Sequence, residues 1–181
     1  MSPIIETERL VLRAPVQADF DAGWAEFHGD AECMRYLGGA MPRSIAWRAL
    51  AQVVGMWPLR GFGSFSVLEK ATGRWVGRAG PWQPEDWPAL EVGWMLHRSA
   101  WGHGYATEAA EACLRFAFET LGWTSVAHMI HPENLGSQAV AGRIGSRFLE
   151  MVALPPPMDV AGPTQMWGQT AEDWRRRHVP G

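Results

Sequence analysis

A helix pattern that is apolar on every face but one constrains the fold more than any other feature of the sequence. The pattern predicts a helix at 105–121, with Gly122 as its C-cap. Its polar side chains recur at spacings of three and four residues and form one narrow stripe: Glu108, Glu111, Arg115 and Glu119. Such a helix must be covered by a sheet and by further structure, so we expect it near the centre of the fold.

The rest of the chain predicts strands and helices on both sides of this helix. Before it we predict strands at 8–13, 62–69, 74–80 and 89–96, and helices at 19–30 and from Ser44, as N-cap, to Met56, ended by Pro58 and Gly61. After it we predict a strand at 125–130, a helix at 134–144, strands at 148–154 and 165–168, and a short helix or turn at 171–178. This order indicates one domain (1–181) of the α/β (α+β) class, with a mixed, mostly antiparallel sheet of about six to seven strands and helices on both faces.

The composition argues against several classes of function. The formal net charge is -3, without the basic footprint of nucleic-acid binders, so we expect no nucleic-acid partner. No run of about 18 apolar residues occurs, so we expect no membrane span. Two cysteines without close spacing, and an N-terminus without a signal-peptide pattern, favour a cytoplasmic enzyme.

The turn before the long helix is a candidate anion site. Gly102 and Gly104 allow a tight turn with exposed N–H groups, and the helix N-terminus adds unpaired donors and a positive dipole end. The Walker pattern is absent, and Thr107 stands where the dinucleotide pattern requires a third glycine, which disfavours a nucleotide-binding domain. By itself the loop fits a purely structural turn nearly as well.

The segments around this loop resemble a known enzyme family. Segments 90–97 and 101–109 closely resemble motif A of the GNAT acetyltransferases, and the match is most similar to the RimJ/RimL-type ribosomal-protein N-terminal acetyltransferases. Three further blocks resemble the same family in the same order: 7–13, 34–38, and 134–140 with the following Gly145, which is similar to motif B. The resemblance covers nearly the whole chain and implies the GNAT fold and acetyl-coenzyme A as co-substrate.

The sequence departs from the family pattern at a few positions. Trp101 stands where many members have Gln or Arg, a replacement usual in this subgroup. Ser146 and Arg147 follow Gly145 where an apolar residue normally follows directly, and Gly142 replaces a residue that is often charged.

The resemblance implies a set of cofactor-binding residues. The N–H groups of the loop would hold the pyrophosphate: Trp101, Gly102, His103, Gly104, Tyr105, Ala106 and Thr107. The His103 side chain either adds a contact or is solvated. Along Met95, Leu96 and His97, main-chain groups of Met95 and His97 would pair with the pantetheine arm as an added strand.

Glu91 and Ser137 are the candidate catalytic residues. Glu91 lies ten residues before Trp101, the spacing of the catalytic glutamate in related histone acetyltransferases, and a carboxylate in an apolar cleft suits the removal of a proton from an ammonium. The alternative is a solvent-facing Glu91. Ser137 is a candidate proton donor to the leaving thiolate or a cofactor contact, and Asn134 either binds the cofactor or caps its helix.

The sequence predicts direct transfer without an acyl-enzyme or a metal. Neither Cys33 nor Cys113 has a flanking His that would activate it. His128 and His131 form a single pair, which is weak support for a metal site.

The acceptor site is expected between an early loop and a proline-rich loop. Tyr36 belongs to the first, and Trp82, Glu85 and Trp87 belong to the second, where they would attract and flank a cationic amine. The plainer interpretation is a solvated acidic turn with two packing anchors. We expect a small-molecule amine or a peptide N-terminus as acceptor and a monomer or homodimer; the alternative function is a non-catalytic acetyl-coenzyme A binding module.

Overall fold

The fold is described by a computed structural model covering residues 2–178. Eight strands form one sheet: β1 (Ile5–Glu6), β2 (Leu10–Arg13), β3 (Phe65–Glu69), β4 (Trp75–Trp82), β5 (Glu91–Leu96), β6 (Ser125–Ile130), β7 (Arg147–Val152) and β8 (Thr164–Thr170). Five α-helices accompany them: α1 (Ala25–Gly29), α2 (Arg43–Arg60), α3 (Tyr105–Arg115), α4 (Leu135–Arg143) and α5 (Ala171–His178). Within residues 2–178, no helix has both the length and the apolarity needed to cross a membrane.

The sheet is antiparallel except at its centre. Its order is β1-β2-β3-β4-β5-β6-β8-β7, and only β5 and β6 run parallel. These two strands share a single registered pair, Glu91 with Ala127, whereas β4 and β5 pair over six positions. The two central strands therefore part beyond Glu91, and this divergence opens a cleft through the middle of the sheet.

Two buried clusters lie on opposite faces of the sheet. The larger one packs α3 against the central strands, with Ala109, Cys113 and Leu114 fully buried. The smaller one packs the α1–α2 region against the sheet through Trp24 and Trp75. Helices on both faces confirm the predicted layers, and the buried faces of α3 confirm its central place.

The structure corrects several predicted boundaries. The sheet has eight strands because the two-residue β1 pairs with β2, and a strand this short leaves no sequence pattern. The helix predicted at 19–30 is not continuous, because Gly23, with a non-helical φ of 162°, interrupts the π-helical turn Phe20–Trp24 that precedes α1. The helix predicted at 105–121 ends as α3 at Arg115 and continues as a π-helical turn, Phe116–Thr120.

Gly61 ends α2 as predicted, but the predicted N-cap and the predicted stop at Pro58 are wrong. Its N-cap is Pro42 and not Ser44, because the fixed φ of proline suits the start of a helix. Pro58 lies inside the helix, which ends at Gly61 in the left-handed conformation. A proline near the C-terminal end removes one helical hydrogen bond without stopping the helix there.

Candidate active site

The divergence of β5 and β6 positions the proposed site. Ala127 N–H donates to Leu90 O over 2.8 Å at the last point where the strands meet, and Met129 N–H turns instead to the Glu91 carboxylate over 3.3 Å. A cavity of about 1400 Å³ extends from this point between the sheet, α2, α3 and α4. Of the predicted site residues, only His97 and His103 are absent from its described lining.

Glu91 lies buried at the fork and is 7% exposed. Trp87 Nε1 donates to Glu91 Oε2 over 2.7 Å, and Met129 N–H donates to Oε1. Burial raises the pKa of Glu91 to about 7, while these two hydrogen bonds and the Arg78 charge act in the opposite direction. The alternative of a solvent-facing side chain is therefore wrong, and the role as general base stays a prediction.

The edges of β5 correct the predicted pairing with the pantetheine arm. His97 N–H donates to Val76 O in β4, so the main-chain groups of the odd-numbered residues, including Met95, face β4. The even-numbered residues face β6, where Val92 O lies 2.6 Å from His128 Nδ1. Pairing through Met95 and His97 is thus wrong by one residue, and Trp94 presents the N–H and C=O that open toward the cleft.

The loop before α3 presents a row of unpaired donors. Trp101 N–H donates to Arg98 O and is therefore not available to a ligand. Among the described residues, the N–H groups of 102–107 donate to no protein acceptor, and Gly102 and Gly104 both have a φ of +78°. Unpaired amides at a helix N-terminus, in a turn that only glycine adopts easily, match the geometry of a phosphate site.

The Arg9 side chain forms hydrogen bonds with this loop and with the first turn of α3. Its Nη1 donates to His103 O over 2.8 Å, and its Nε donates to Glu108 Oε2 over 2.7 Å. Thr7 Oγ1 donates to the other oxygen of Glu108. The 7–13 block pointed to the family, but the role of Arg9 as the clamp of the loop was missed, because its partners lie about a hundred residues away in sequence.

The side chains of His103 and Tyr105 bind other protein groups. His103 Nδ1 lies 2.9 Å from Trp101 O, and the imidazole stacks on Tyr105 at the exposed surface. Tyr105 is buried and its hydroxyl donates to Glu69 Oε1. Cofactor contacts from these two residues would therefore be made by their main chains.

The N-terminus of α4 faces the same cleft. Asn134 Oδ1 accepts from Ser137 N–H over 3.1 Å, which confirms that Asn134 caps the helix. The Ser137 hydroxyl makes no hydrogen bond within the described residues and lines the cleft. Tyr36 stacks on His131 with ring centroids 5.0 Å apart, so a phenol lies close to motif B in space although not in sequence.

The proline-rich loop contributes two tryptophans to the lining of the cleft. Trp82 and Trp87 line the cleft, but Glu85 is 87% exposed and pairs with Arg60 at 2.9 Å, so its charge is already offset at the rim.

Burial raises the pKa of the Cys33 thiol to about 11 and that of Cys113 further. Neither thiol is therefore an activated nucleophile.

One group of possible metal ligands occurs beside the cleft. Asp30, Cys33 and His97 place ligand atoms within 4.8 Å of one another. The Arg98 guanidinium pairs with Asp30, with Nε 2.7 Å from Oδ2, and the main-chain N–H of Arg98 donates to Cys33 Sγ over 3.3 Å, so two of the three residues already have partners. His128, from the predicted weak pair, uses its ring nitrogens toward Val92 O and Ser146 Oγ.

Comparisons with known proteins bear on the family and the fold of the chain. Residues 9–147 match the Acetyltransferase (GNAT) domain. The chain is 31% identical to the Bacillus subtilis (strain 168) protein YkkB over 155 residues, which are 81% of this chain and 86% of that protein. The crystal structure of an acetyltransferase from Agrobacterium tumefaciens str. C58 superposes with a TM-score of 0.80 at 30% identity, covering 92% of this chain and 94% of that one.

A ribosomal-protein acetyltransferase also shares the fold. A structure from Vibrio cholerae that is named as a ribosomal-protein-serine acetyltransferase superposes with a TM-score of 0.69 at 24% identity. It covers 94% of this chain and 99% of that one. At this identity the likeness extends to the fold alone.

Proposed function

The chain belongs to the GNAT acetyltransferase family and is an acyltransferase, and we propose that it transfers an acetyl group from acetyl-coenzyme A directly to a primary amine. The acceptor is a small-molecule amine or a peptide N-terminus. The four sequence blocks and the fold shared with the Vibrio cholerae structure support a RimJ/RimL-like subgroup. We treat the chain as one transferase domain.

The single observation that carries this proposal is the Glu91 carboxylate at the fork of β5 and β6. A carboxyl group with a pKa of about 7 is half ionised near neutral pH, so it can accept a proton and release it again. The hydrogen bonds from Trp87 and Met129 fix its orientation at the wall of the cleft. Glu91 also lines the cavity, so a bound amine can reach its carboxylate.

Acetyl-coenzyme A supplies the activated thioester carbonyl. The amides of 102–107 would hold its diphosphate, and the main-chain groups of Trp94 would hold the arm that leads to the fork. Glu91, directly or through a water, takes a proton from the incoming ammonium, and the amine then forms the new C–N bond at the carbonyl. The nitrogen of the adduct then loses its second proton to solvent. As the C–S bond breaks, Ser137 or Tyr36 gives a proton to the thiolate and regains one from solvent.

The chain's own thiols support direct transfer. Cys113 lies fully buried on the inner face of α3, and Cys33 has a pKa far above neutral pH, so neither offers a thiolate that would accept the acetyl group first. Transfer without an acyl-enzyme therefore remains the route that the side chains around the cleft support.

An acceptor screen with free-thiol detection tests the proposal. Wild type and the Glu91→Gln variant are incubated with acetyl-coenzyme A and a panel of amines and peptides, and Glu119→Gln serves as the control for an exposed carboxylate outside the cleft. We expect thiol release with at least one acceptor class, lost in Glu91→Gln and kept in Glu119→Gln. Tight binding of acetyl-coenzyme A without transfer to any amine would favour the non-catalytic binding module instead.

A further inference from the structure

Arg78 is a cation in the inner wall of the cleft. In the β4–β5 register Arg78 lies opposite Met95, and Trp82 lies opposite Glu91, so these four side chains share one face of the sheet. The guanidinium carbon of Arg78 lies 5.5 Å from the ring centroid of Trp24 and 5.8 Å from that of Trp82. The two aromatic rings hold the guanidinium beside the cavity.

This guanidinium makes no hydrogen bond and no ion pair with any described residue. Its Nε is fully buried and without a partner. Burial lowers the pKa of Arg78 to about 10, with the Glu91 charge acting against this, so the side chain stays cationic at neutral pH. The side chain is half-buried, and besides the two aromatic rings and the distant Glu91 charge, only the contents of the adjacent cavity can compensate a cation that lacks a hydrogen-bond partner.

Two glycines, which have no side chains, form the surface of the sheet between Arg78 and Glu91, and we call this surface the glycine floor. The Gly80–Gly93 pair lies between the Trp82–Glu91 and Arg78–Met95 pairs. The Glu91 carboxylate leans over Gly93, where an added Cβ would lie only 3.2 Å from Oε1. The two opposite charges thus face each other across a glycine floor, and four residues along the strand span about 13 Å before the side chains shorten the gap.

No other described residue near Arg78 provides a positive charge in the inner wall of the cleft. His28 lies beside it and is neutral near pH 7, because burial and the Arg78 charge lower its pKa to about 4. The other arginines that line the cleft are exposed to solvent: Arg35, Arg48 and Arg143. Arg78 is therefore the inner cation of this wall.

We propose that Arg78 binds a carboxylate of the acceptor, so that the acceptor carries an amine and a carboxylate in one molecule. The inference rests on the proposed function, since it identifies which amine reaches Glu91. The planar guanidinium pairs with a carboxylate through two parallel N–H donors, which also orients the acceptor. The amine then points along the glycine floor toward Glu91, and a free amino acid or an acidic peptide N-terminus both carry this chemistry.

Matched acceptors test the inference on the wild-type enzyme. Each pair contains a free amino acid and its amide, with chain lengths from α-amino to ω-amino acids, and a parallel arm compares peptides with acidic and neutral second residues. We expect kcat/KM at least tenfold higher for the carboxylate member of a pair. Equal values for both members, in every pair and in the peptide arm, would overturn the inference.

Variants of Arg78 identify the residue responsible. In Arg78→Met we expect a 10- to 100-fold rise in KM for carboxylate acceptors, no change for their amides, and unchanged affinity for acetyl-coenzyme A. Arg78→Lys keeps the charge without the planar fork and should recover part of the loss. Arg48→Met is the control, since Arg48 lies exposed at the rim; an equal loss in this variant would contradict a specific role for Arg78.

The outcomes of these assays distinguish the carboxylate contact from the transfer reaction itself. Transfer to amines without preference for a carboxylate removes this inference and leaves the proposed function intact. Absence of transfer to any amine removes both. Transfer to acidic peptides but not to free amino acids supports the carboxylate contact and assigns it to a peptide acceptor.

Discussion

The two ends of the cleft are built in different ways. At the loop before α3 the groups that we propose to bind a ligand are main-chain amides of 102–107, consecutive in sequence in a turn with two glycines. At the fork the proposed groups are side chains, Glu91 and Arg78, placed on one face of the sheet by the register of β4 and β5. The first site depends on local backbone conformation, whereas the second depends on long-range pairing.

This difference predicts which substitutions each end tolerates. A main-chain site is insensitive to most side-chain changes but fails when its backbone conformation is lost. A side-chain site keeps its backbone through a substitution and loses the specific chemistry of one group. The following variants test this contrast, in order of the expected effect.

Gly104→Val should abolish binding of acetyl-coenzyme A. At a φ of +78° a β-branched residue is strongly strained, and its Cβ would lie 3.4 Å from Arg9 Nη2, so the loop must rebuild and its amides must move. We expect at least a 100-fold loss of affinity by calorimetric titration. Gly122→Val is the matched control, because Gly122 has a φ of +70° at the far end of the same helical segment, with open space around it.

Equal affinity in Gly104→Val and wild type would show that the phosphate site lies elsewhere. A comparable loss in Gly122→Val would show that binding follows general strain in this helical segment and not the loop. Thermal unfolding of both variants confirms that the protein measured is folded.

Glu91→Gln should lower kcat by about 10²- to 10⁴-fold, the usual contribution of a general base. The affinity for acetyl-coenzyme A should stay nearly unchanged, because the amide loop lies at the other end of the cleft. In the wild type, kcat/KM should rise with pH up to about 7 and then level, and this limb should be missing in the variant. Unchanged turnover would remove Glu91 from the mechanism.

The pH dependence of stability tests the burial of Glu91 without any substrate. Its pKa is about 7 in the folded chain and 4.5 as the ordinary value, so the folded state keeps a proton that the unfolded state has lost. The wild type should therefore lose about 3 kcal/mol of stability relative to Glu91→Gln as pH rises from 4.5 to about 7. Urea unfolding of both proteins across this range measures the difference; parallel curves would mean that the carboxyl is not buried.

Ser137→Ala and Tyr36→Phe should have the smallest effects, and together they identify the proton donor. Loss of the true donor should lower kcat about tenfold, since a thiolate is already a fair leaving group. The other variant should stay within about twofold of wild type. Single-turnover rates separate this step from product release; two neutral variants would leave solvent as the proton source.

The contrast also explains what the sequence could predict. The glycines and the apolar helix pattern predicted the amide loop, because backbone geometry depends on residues that are neighbours in sequence. Arg78 gave no signal, since its place opposite Met95 follows from the β4–β5 register and its aromatic neighbours come from distant segments. The one-residue error at Met95 and His97 has the same origin, because only the bonds of β5 to β4 determine which edge faces the cleft.

The most direct test of the account is a crystal structure of the protein with coenzyme A. We predict the diphosphate on the amides of 102–107, the arm beside the main chain of Trp94, and the thiol directed to the fork beside Glu91. A diphosphate bound away from this loop, or a thiol that points away from Glu91, would contradict the account.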